Sequence, residues 1–433
     1  MTQFFDSSFF SRNRKNLVSQ ILPNSIAVFF SAEEFPRNGD QYYKYRQNSD
    51  LFYLSGLTQE KSILVIYKDS SSKKTEEYVF IIEPDQKMIT WTGHKYSKDE
   101  VHKISGITNV EFLGKFEEIL TGLLLKTSSI YYSFSSNIRG IGYENTQIKN
   151  WKALFEKKRS NLLFNDIDPI CMHLRLQKSK EEILVMQKAI DITGNSFKKA
   201  LNFITPGVWE YEIEAELTRD FINAGANGHA YLPILASGLD NCILHYNTNR
   251  KKCLDGDLLL MDFGAEVNYY CADLSRTVPI SGKFSTRQKQ VYSSVLSVFK
   301  EIKTKIKPGN TIRQLNNECG ELIQEELLKL GLLNRSQIEL QDSEMPAYKK
   351  YFMHGVSHFI GLDVHDAGKK DTILQPGMIL SCEPAIYIPE EGFGIRLEND
   401  ILVDDSPIDL CENIPIEIEE IEYLMSRRKN RNT

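Results

Sequence analysis

Hydrophobic and polar positions follow two textures along this chain, and the change falls near residue 172. Up to about residue 170, short β-rich runs at Ser25 to Ser31, Leu51 to Leu57, Ser62 to Tyr67, Tyr78 to Ile82 and Ser129 to Phe134 alternate with polar helical stretches. That pattern predicts strands separated by helices, an α/β domain. Past Leu174-Arg175-Leu176-Gln177-Lys178, Ser179 and Glu182 form a capping box ahead of a long amphipathic run to Ile204. The expected organisation is an α/β domain over residues 1–172 and an α+β domain over residues 173–433. Two domains also suit the length, because a single core stops growing at roughly 250–300 residues.

The second domain repeats itself. Thr205-Pro206-Gly207 follows one helix and opens another that ends at Gly225, and Lys307-Pro308-Gly309 does the same before a helix running towards Leu330. Each helix pair precedes an apolar run that closes on an acid, with a glycine six residues earlier: Gly256 before Asp262, Gly377 before Glu383. His245 lies 17 residues before the first acid and His365 lies 18 before the second. Two related units, each helix, helix and hairpin, are expected to enclose one site.

The hairpins carry the chemistry. With turns centred on Val267 and Asn268 and on Glu390 and Glu391, Asp262 would face Asp273 and Glu383 would face Glu398. Like charges placed opposite one another destabilise a strand pair. Adjacent buried carboxylates cannot all stay ionised without a proton or a metal. Leu258 to Met261 and Met378 to Leu380 imply strands buried on both faces, where acids need partners.

Five of the eight histidines, His229, His245, His354, His358 and His365, lie near these acids. His354 and His358 have HxxxH spacing, but Gly355 and Gly361 oppose a helix, and no Glu follows the first His as in HExxH zincins. One imidazole with four carboxylates is an oxygen-rich set that suits Mn, Fe(II), Co or Zn. Two such ions can bridge a water and polarise a carbonyl, so hydrolysis is the expected chemistry.

Net charge narrows the partners. At -6, with charges dispersed, the chain offers no basic field for nucleic acid. Seven cysteines without CxxC spacing outline no disulfide framework, which fits a reducing cytoplasm. No run approaches the ~20 apolar residues of a spanning helix, and charge interrupts the first residues before signal-peptide length, so neither a membrane nor export is expected. The basic end from Ser426 to Thr433 reads as a solvated tail.

The strings Cys242-Ile-Leu-His245-Tyr, Met261-Asp262-Phe-Gly-Ala-Glu, Ala272-Asp273-Leu-Ser-Arg-Thr277, His354-Gly-Val-Ser-His358, Asp363-Val-His365-Asp366, Cys382-Glu383-Pro384 and Gly394-Ile-Arg396-Leu-Glu398 resemble the aminopeptidase P (Xaa-Pro aminopeptidase) family of pita-bread metallopeptidases. Tyr45 to Gly56 resembles the N-terminal signature of the same enzymes. The resemblance implies a pita-bread catalytic domain with a pseudo-twofold repeat. It also implies Asp262, Asp273, His358, Glu383 and Glu398 as ligands of two divalent ions, usually Mn(II), with Asp273 and Glu398 bridging. Glu383 would be the general base. His245, His354 and His365 would line the cleft, bind substrate and serve the oxyanion and the leaving nitrogen, while Arg396 and Tyr387 would orient the site.

The implied substrate is a peptide with penultimate proline, and the implied assembly a homo-oligomer, dimer or tetramer. A prolidase shares the ligands and cleaves only Xaa-Pro dipeptides. A binding module of this fold usually loses ligands, and a creatinase-like enzyme does without metals.

Overall fold

In a computed structural model of the chain, the described residues are 4–70, 74–134, 150, 151, 153, 155, 162–342 and 345–427. The basic tail at 428–433 lies outside them. One compact unit ends at Leu174 and the other begins at Arg175.

The first unit is built on six strands, in the sheet order Asn109–Phe112, Thr75–Ile81, Ile63–Lys68, Ser25–Phe30, Ser129–Tyr132, Leu163–Asp166. The central strand Ser25–Phe30 is buried at every residue, as expected for a strand covered on both faces. On one face Ile26, Val28, Phe30, Ile63, Val65 and Phe80 pack with Phe116 and Leu120.

Leu51 to Leu57 is not a strand. Ser49–Ser55 is a helix, capped by Asn48 accepting from the Asp50 and Leu51 amides and closed by Gly56 at φ 72°. A short apolar run has no readable period, and here the caps decide its conformation.

The second unit holds the paired helices Lys180–Phe203 with Glu210–Asn223 and Thr286–Lys305 with Ile312–Lys329. Ser179 with Glu182, Ser285 with Gln288 and Thr311 with Gln314 close capping boxes at three of their N-termini. Losing such a cap costs about 1 kcal/mol. After each pair a turn through a positive-φ glycine, Gly256 at 86° and Gly377 at 88°, leads into an apolar strand. These strands are Leu258–Asp262 and Ile379–Cys382, so the two halves enter their acids by the same backbone route.

The first hairpin differs from expectation by two residues. Asp262 pairs with Ser275, and Glu266 with Cys271. The turn is therefore centred on Asn268 and Tyr269, both at positive φ (47° and 70°). A two-residue I′ turn demands that conformation at both central positions, and β-branched Val267 tolerates it poorly. Asp273 consequently lies beside Gly264, on the same face as Asp262 but not opposite it. In the second hairpin Cys382 pairs with Asn399 and Ala385 with Arg396, one register that puts Glu383 opposite Glu398 as the sequence implies.

Gly264 is required by this geometry. A Cβ there would sit 1.7 Å from the Ala272 carbonyl oxygen and 3.3 Å from the Asp273 amide nitrogen. Gly264→Ala is expected to destabilise the second unit by at least about 3 kcal/mol, because the clash is with backbone. Gly122→Ala, in the open helix Phe116–Leu124 with nothing near its Cβ, should change stability by less than about 1 kcal/mol. Denaturant titration of the two variants checks the contrast.

Candidate metal centre

The two hairpins and the segment from 352 to 366 deliver the acids and histidines to one place. Ligating atoms of Asp273, His358 and Glu398 all lie within 4.8 Å of one another. His358 Nε2 is 3.4 Å from Asp273 Oδ2, 3.7 Å from Glu383 Oε1 and 3.9 Å from Glu398 Oε1. Asp262 joins them through the Tyr231 hydroxyl, which lies 2.6 Å from Asp262 Oδ1 and also reaches Asp273 Oδ1. All five acid and imidazole positions singled out from the sequence thus border one volume.

Local bonds fix how each group points. His358 Nδ1 lies 3.1 Å from the Phe359 carbonyl oxygen, so that nitrogen carries the proton and Nε2 turns towards the carboxylates. The His358 amide donates to Ser381 Oγ, and the Ser381 amide donates to the His358 carbonyl. Ser275 Oγ donates to Glu398 Oε2 at 2.6 Å. The Asp273 amide donates to Asp400 Oδ2 at 3.0 Å.

The electrostatics call for positive charge. Burial, then its acidic neighbours, pushes Glu398 well above the usual carboxylate range. Burial also raises Glu383 to about 7, although His358 and Arg396 pull the other way. Asp262 is raised by burial against the opposing pull of Arg396. Burial would lower His358, but Asp273 and Glu383 outweigh it and lift the imidazole to about 9. Four carboxylates and one correctly turned imidazole make a donor set that fits hard or borderline divalent ions.

Arg396 is the guanidinium at the centre. It donates to Tyr387 Oη and Ser275 Oγ, both at 2.9 Å, and to Asp262 Oδ2. Tyr387 Oη is 2.9 Å from His354 Nε2, while His354 Nδ1 lies 2.8 Å from the Gly355 carbonyl oxygen. Since a carbonyl only accepts, Nδ1 carries the proton and Tyr387 donates to Nε2. Burial lowers the His354 pKa to about 3, so the ring is neutral with both nitrogens engaged. His354 Nδ1 is also 3.6 Å from Glu383 Oε2.

His365 meets His358 edge to face, with centroids 4.5 Å apart, and is itself exposed. His245 is exposed as well. His229 stands apart from this group, bonded to Thr218 Oγ1 at 2.8 Å and packed on Phe221.

Four residues of the site had gone unnoticed in the sequence: Tyr231, Ser275, Ser381 and Asp400. Tyr231 lies 31 residues before the acid it bonds and carries no spacing signal. Ser275 and Asp400 each follow an acid by two positions and Ser381 precedes one by two, which strand alternation places on the acid's face.

Comparison with known proteins agrees with this geometry. The profile described as metallopeptidase family M24 matches residues 185–405, and that of the aminopeptidase P N-terminal domain matches residues 10–131. The Xaa-Pro aminopeptidase of Escherichia coli K12 is 34% identical over 96% of this chain and 97% of its own. That of Haemophilus influenzae is 32% identical over 96% and 97%. A solved structure of zinc-substituted E. coli aminopeptidase P in complex with product superposes with a TM-score of 0.89 at 32% identity, covering 98% of this chain and 99% of that one. The fold is thus an aminopeptidase P N-terminal domain followed by a pita-bread catalytic domain, and the chain belongs to metallopeptidase family M24.

Proposed function

We propose that this chain is a metal-dependent Xaa-Pro aminopeptidase that releases the N-terminal residue from peptides with proline at the second position. The observation that carries this is the set Asp262, Asp273, His358, Glu383 and Glu398 around one volume, in a chain similar over nearly its whole length to Xaa-Pro aminopeptidases. The same five residues would hold two divalent ions. An oxygen-rich set with a single imidazole favours Mn(II), ahead of Zn, Co or Fe(II). When bound, such a pair would polarise the scissile carbonyl and acidify water at the site.

The chain's own groups supply the rest. Glu383, whose Oε2 lies 3.6 Å from His354 Nδ1 and whose Oε1 lies 3.7 Å from His358 Nε2, is the carboxylate placed to take a proton from the attacking water and return it later. The neutral His354 ring, fixed by Tyr387 and Gly355, keeps Glu383 aimed; with both nitrogens occupied it is better suited to positioning than to oxyanion contact. His245 and His365, whose rings are exposed, are the side chains proposed to meet the substrate and the leaving proline nitrogen. Arg396 and Tyr387 hold Asp262 and His354 in register.

A homo-oligomer is part of the proposal. The hairpin of Pro36–Asn38 and Gln41–Tyr42 is exposed at every residue, and an isolated two-stranded hairpin is marginal by itself, so a second copy would give it cover. A cytoplasmic setting is supported by seven free cysteines. No helix among the described residues is long and apolar enough to cross a membrane.

The Mn-loaded chain is expected to cleave a tripeptide with proline second, and to leave intact one with alanine there. Turnover of Xaa-Pro dipeptides alone would instead make it a prolidase. Glu383→Gln should lower kcat by at least about 10²-fold with the fold retained by circular dichroism; activity near wild type would move the general base elsewhere. Tyr231→Phe should weaken Mn binding by about 10- to 100-fold, read by metal titration. Stripping metal with a chelator should abolish turnover, and adding back Mn at about 100 times Kd should stabilise the fold by about 2.7 kcal/mol, visible as a rise in Tm.

A further inference from the structure

Arg175 and Lys178, from the Leu174-Arg175-Leu176-Gln177-Lys178 stretch, have no place in the chemistry above, yet both are buried charges. Arg175 is 7% exposed and Lys178 1%. Arg175 Nη2 donates to Asp363 Oδ2 at 2.7 Å and, through the same nitrogen, to Asp366 Oδ1. Lys178 Nζ donates to Asp366 Oδ2 at 3.1 Å. Two cations thus meet two carboxylates, and the two carboxylates bracket His365 in the chain.

The segment between them is tightly constrained. The Gly361 amide donates to the Asp363 carbonyl at 3.1 Å, the Asp366 amide to the Phe359 carbonyl at 2.8 Å, and the Cys271 amide to the Gly361 carbonyl at 2.8 Å. A Cβ on Gly361 would lie 2.3 Å from Asp366 Oδ2 and 2.9 Å from Lys178 Cε, so the carboxylate and the lysine are packed directly on that glycine. The outcome is that the exposed His365 ring stands edge to face against His358 at 4.5 Å.

A buried ion cluster is a poor source of net stability, because desolvation offsets most of its Coulomb energy. What it supplies is geometric definition: one guanidinium nitrogen holds the carboxylates on both sides of His365, those of Asp363 and Asp366, in a single arrangement. We infer that Arg175 is a positioning residue for the reaction, acting through His365, with Asp363, Asp366 and Lys178 as the rest of the clamp. The inference rests on the Xaa-Pro aminopeptidase reading above, in which His365 meets the substrate.

The test is a double-mutant cycle on the Mn-loaded full chain with an Xaa-Pro-Xaa tripeptide, comparing wild type, Arg175→Lys, His365→Ala and the combination. Arg175→Lys keeps the charge and replaces the planar guanidinium, whose Nη2 meets both carboxylates, with a freely rotating ammonium. Its kcat is expected to fall by about tenfold or more, with KM and bound Mn unchanged. In the His365→Ala background the same change should alter kcat by less than about twofold, because the group it positions is gone. A purely structural role would shift metal content or Tm and leave the two losses multiplicative.

Multiplying losses, or an Arg175→Lys enzyme within about twofold of wild type, overturns the inference. Should Arg175→Lys not fold, Asp363→Asn removes only the charge of the half-exposed carboxylate and is read through the same cycle with the same outcomes. Wild type inert on the tripeptide overturns the activity reading and this inference together. Wild type active with multiplicative losses overturns this inference alone.

Discussion

The mutual repulsion of four carboxylates, two buried and two half-buried, is the constraint to which the catalytic unit answers. Glu398 is 2% exposed and Asp273 5%, and both sit within 4 Å of His358 Nε2. Carboxylate oxygens of the two acids also lie within 4.8 Å of each other, and like charges about 4 Å apart repel by about 4 kcal/mol when the effective dielectric constant is about 20. Hydrogen-bond donors are therefore aimed at nearly every acid: Arg396 and Tyr231 at Asp262, Tyr231 at Asp273, Ser275 at Glu398. These donors reduce the repulsion without cancelling it, and the remainder is the electrostatic pull on a cation.

The donors cross between the two halves of the repeat. Ser275 of the first hairpin serves Glu398 of the second, and Arg396 of the second serves Asp262 of the first. The Arg396 amide also donates to Thr277 Oγ1 at 3.1 Å. Each half is therefore incomplete as a site, and the arrangement exists only when the halves are docked. Duplication of a helix, helix and hairpin unit provides the frame, while the non-equivalent residues, His358 and Arg396, make the two halves chemically different.

Local signals made much of this legible beforehand. The Ser179 capping box, the paired Pro-Gly punctuations and the Gly256 and Gly377 turns are short-range codes, and the helices and strands begin where they indicate. The second hairpin was readable because Pro389-Glu390-Glu391-Gly392 marks its own turn. The first was misread by two residues because Asn268 and Tyr269 do not look like an I′ pair; Tyr at positive φ is held there by the strands on either side. Leu51 to Leu57 was misread because a seven-residue run with five apolar side chains suits a strand or a buried helix equally. Tyr231 was invisible for a different reason. Its partners are set by which strands neighbour which, a long-range property that a single segment does not encode.

Arg276 extends the same logic beneath the site. It is fully buried, and its guanidinium donates to the carbonyls of Pro415, Ser275, Glu398 and Ile414 and to Asn399 Oδ1. Those are backbone anchors for Ser275 and for the acid that Ser275 serves. A guanidinium used this way locks the main chain from which Glu398 projects and neutralises none of the carboxylates above it. Repulsion between acids is then borne by the framework, and the side chains stay where a divalent ion needs them. Had the cation been spent on a carboxylate instead, the pull on metal would be weaker and the strand carrying Glu398 freer to relax away, so backbone clamping and carboxylate concentration are one solution to one electrostatic problem.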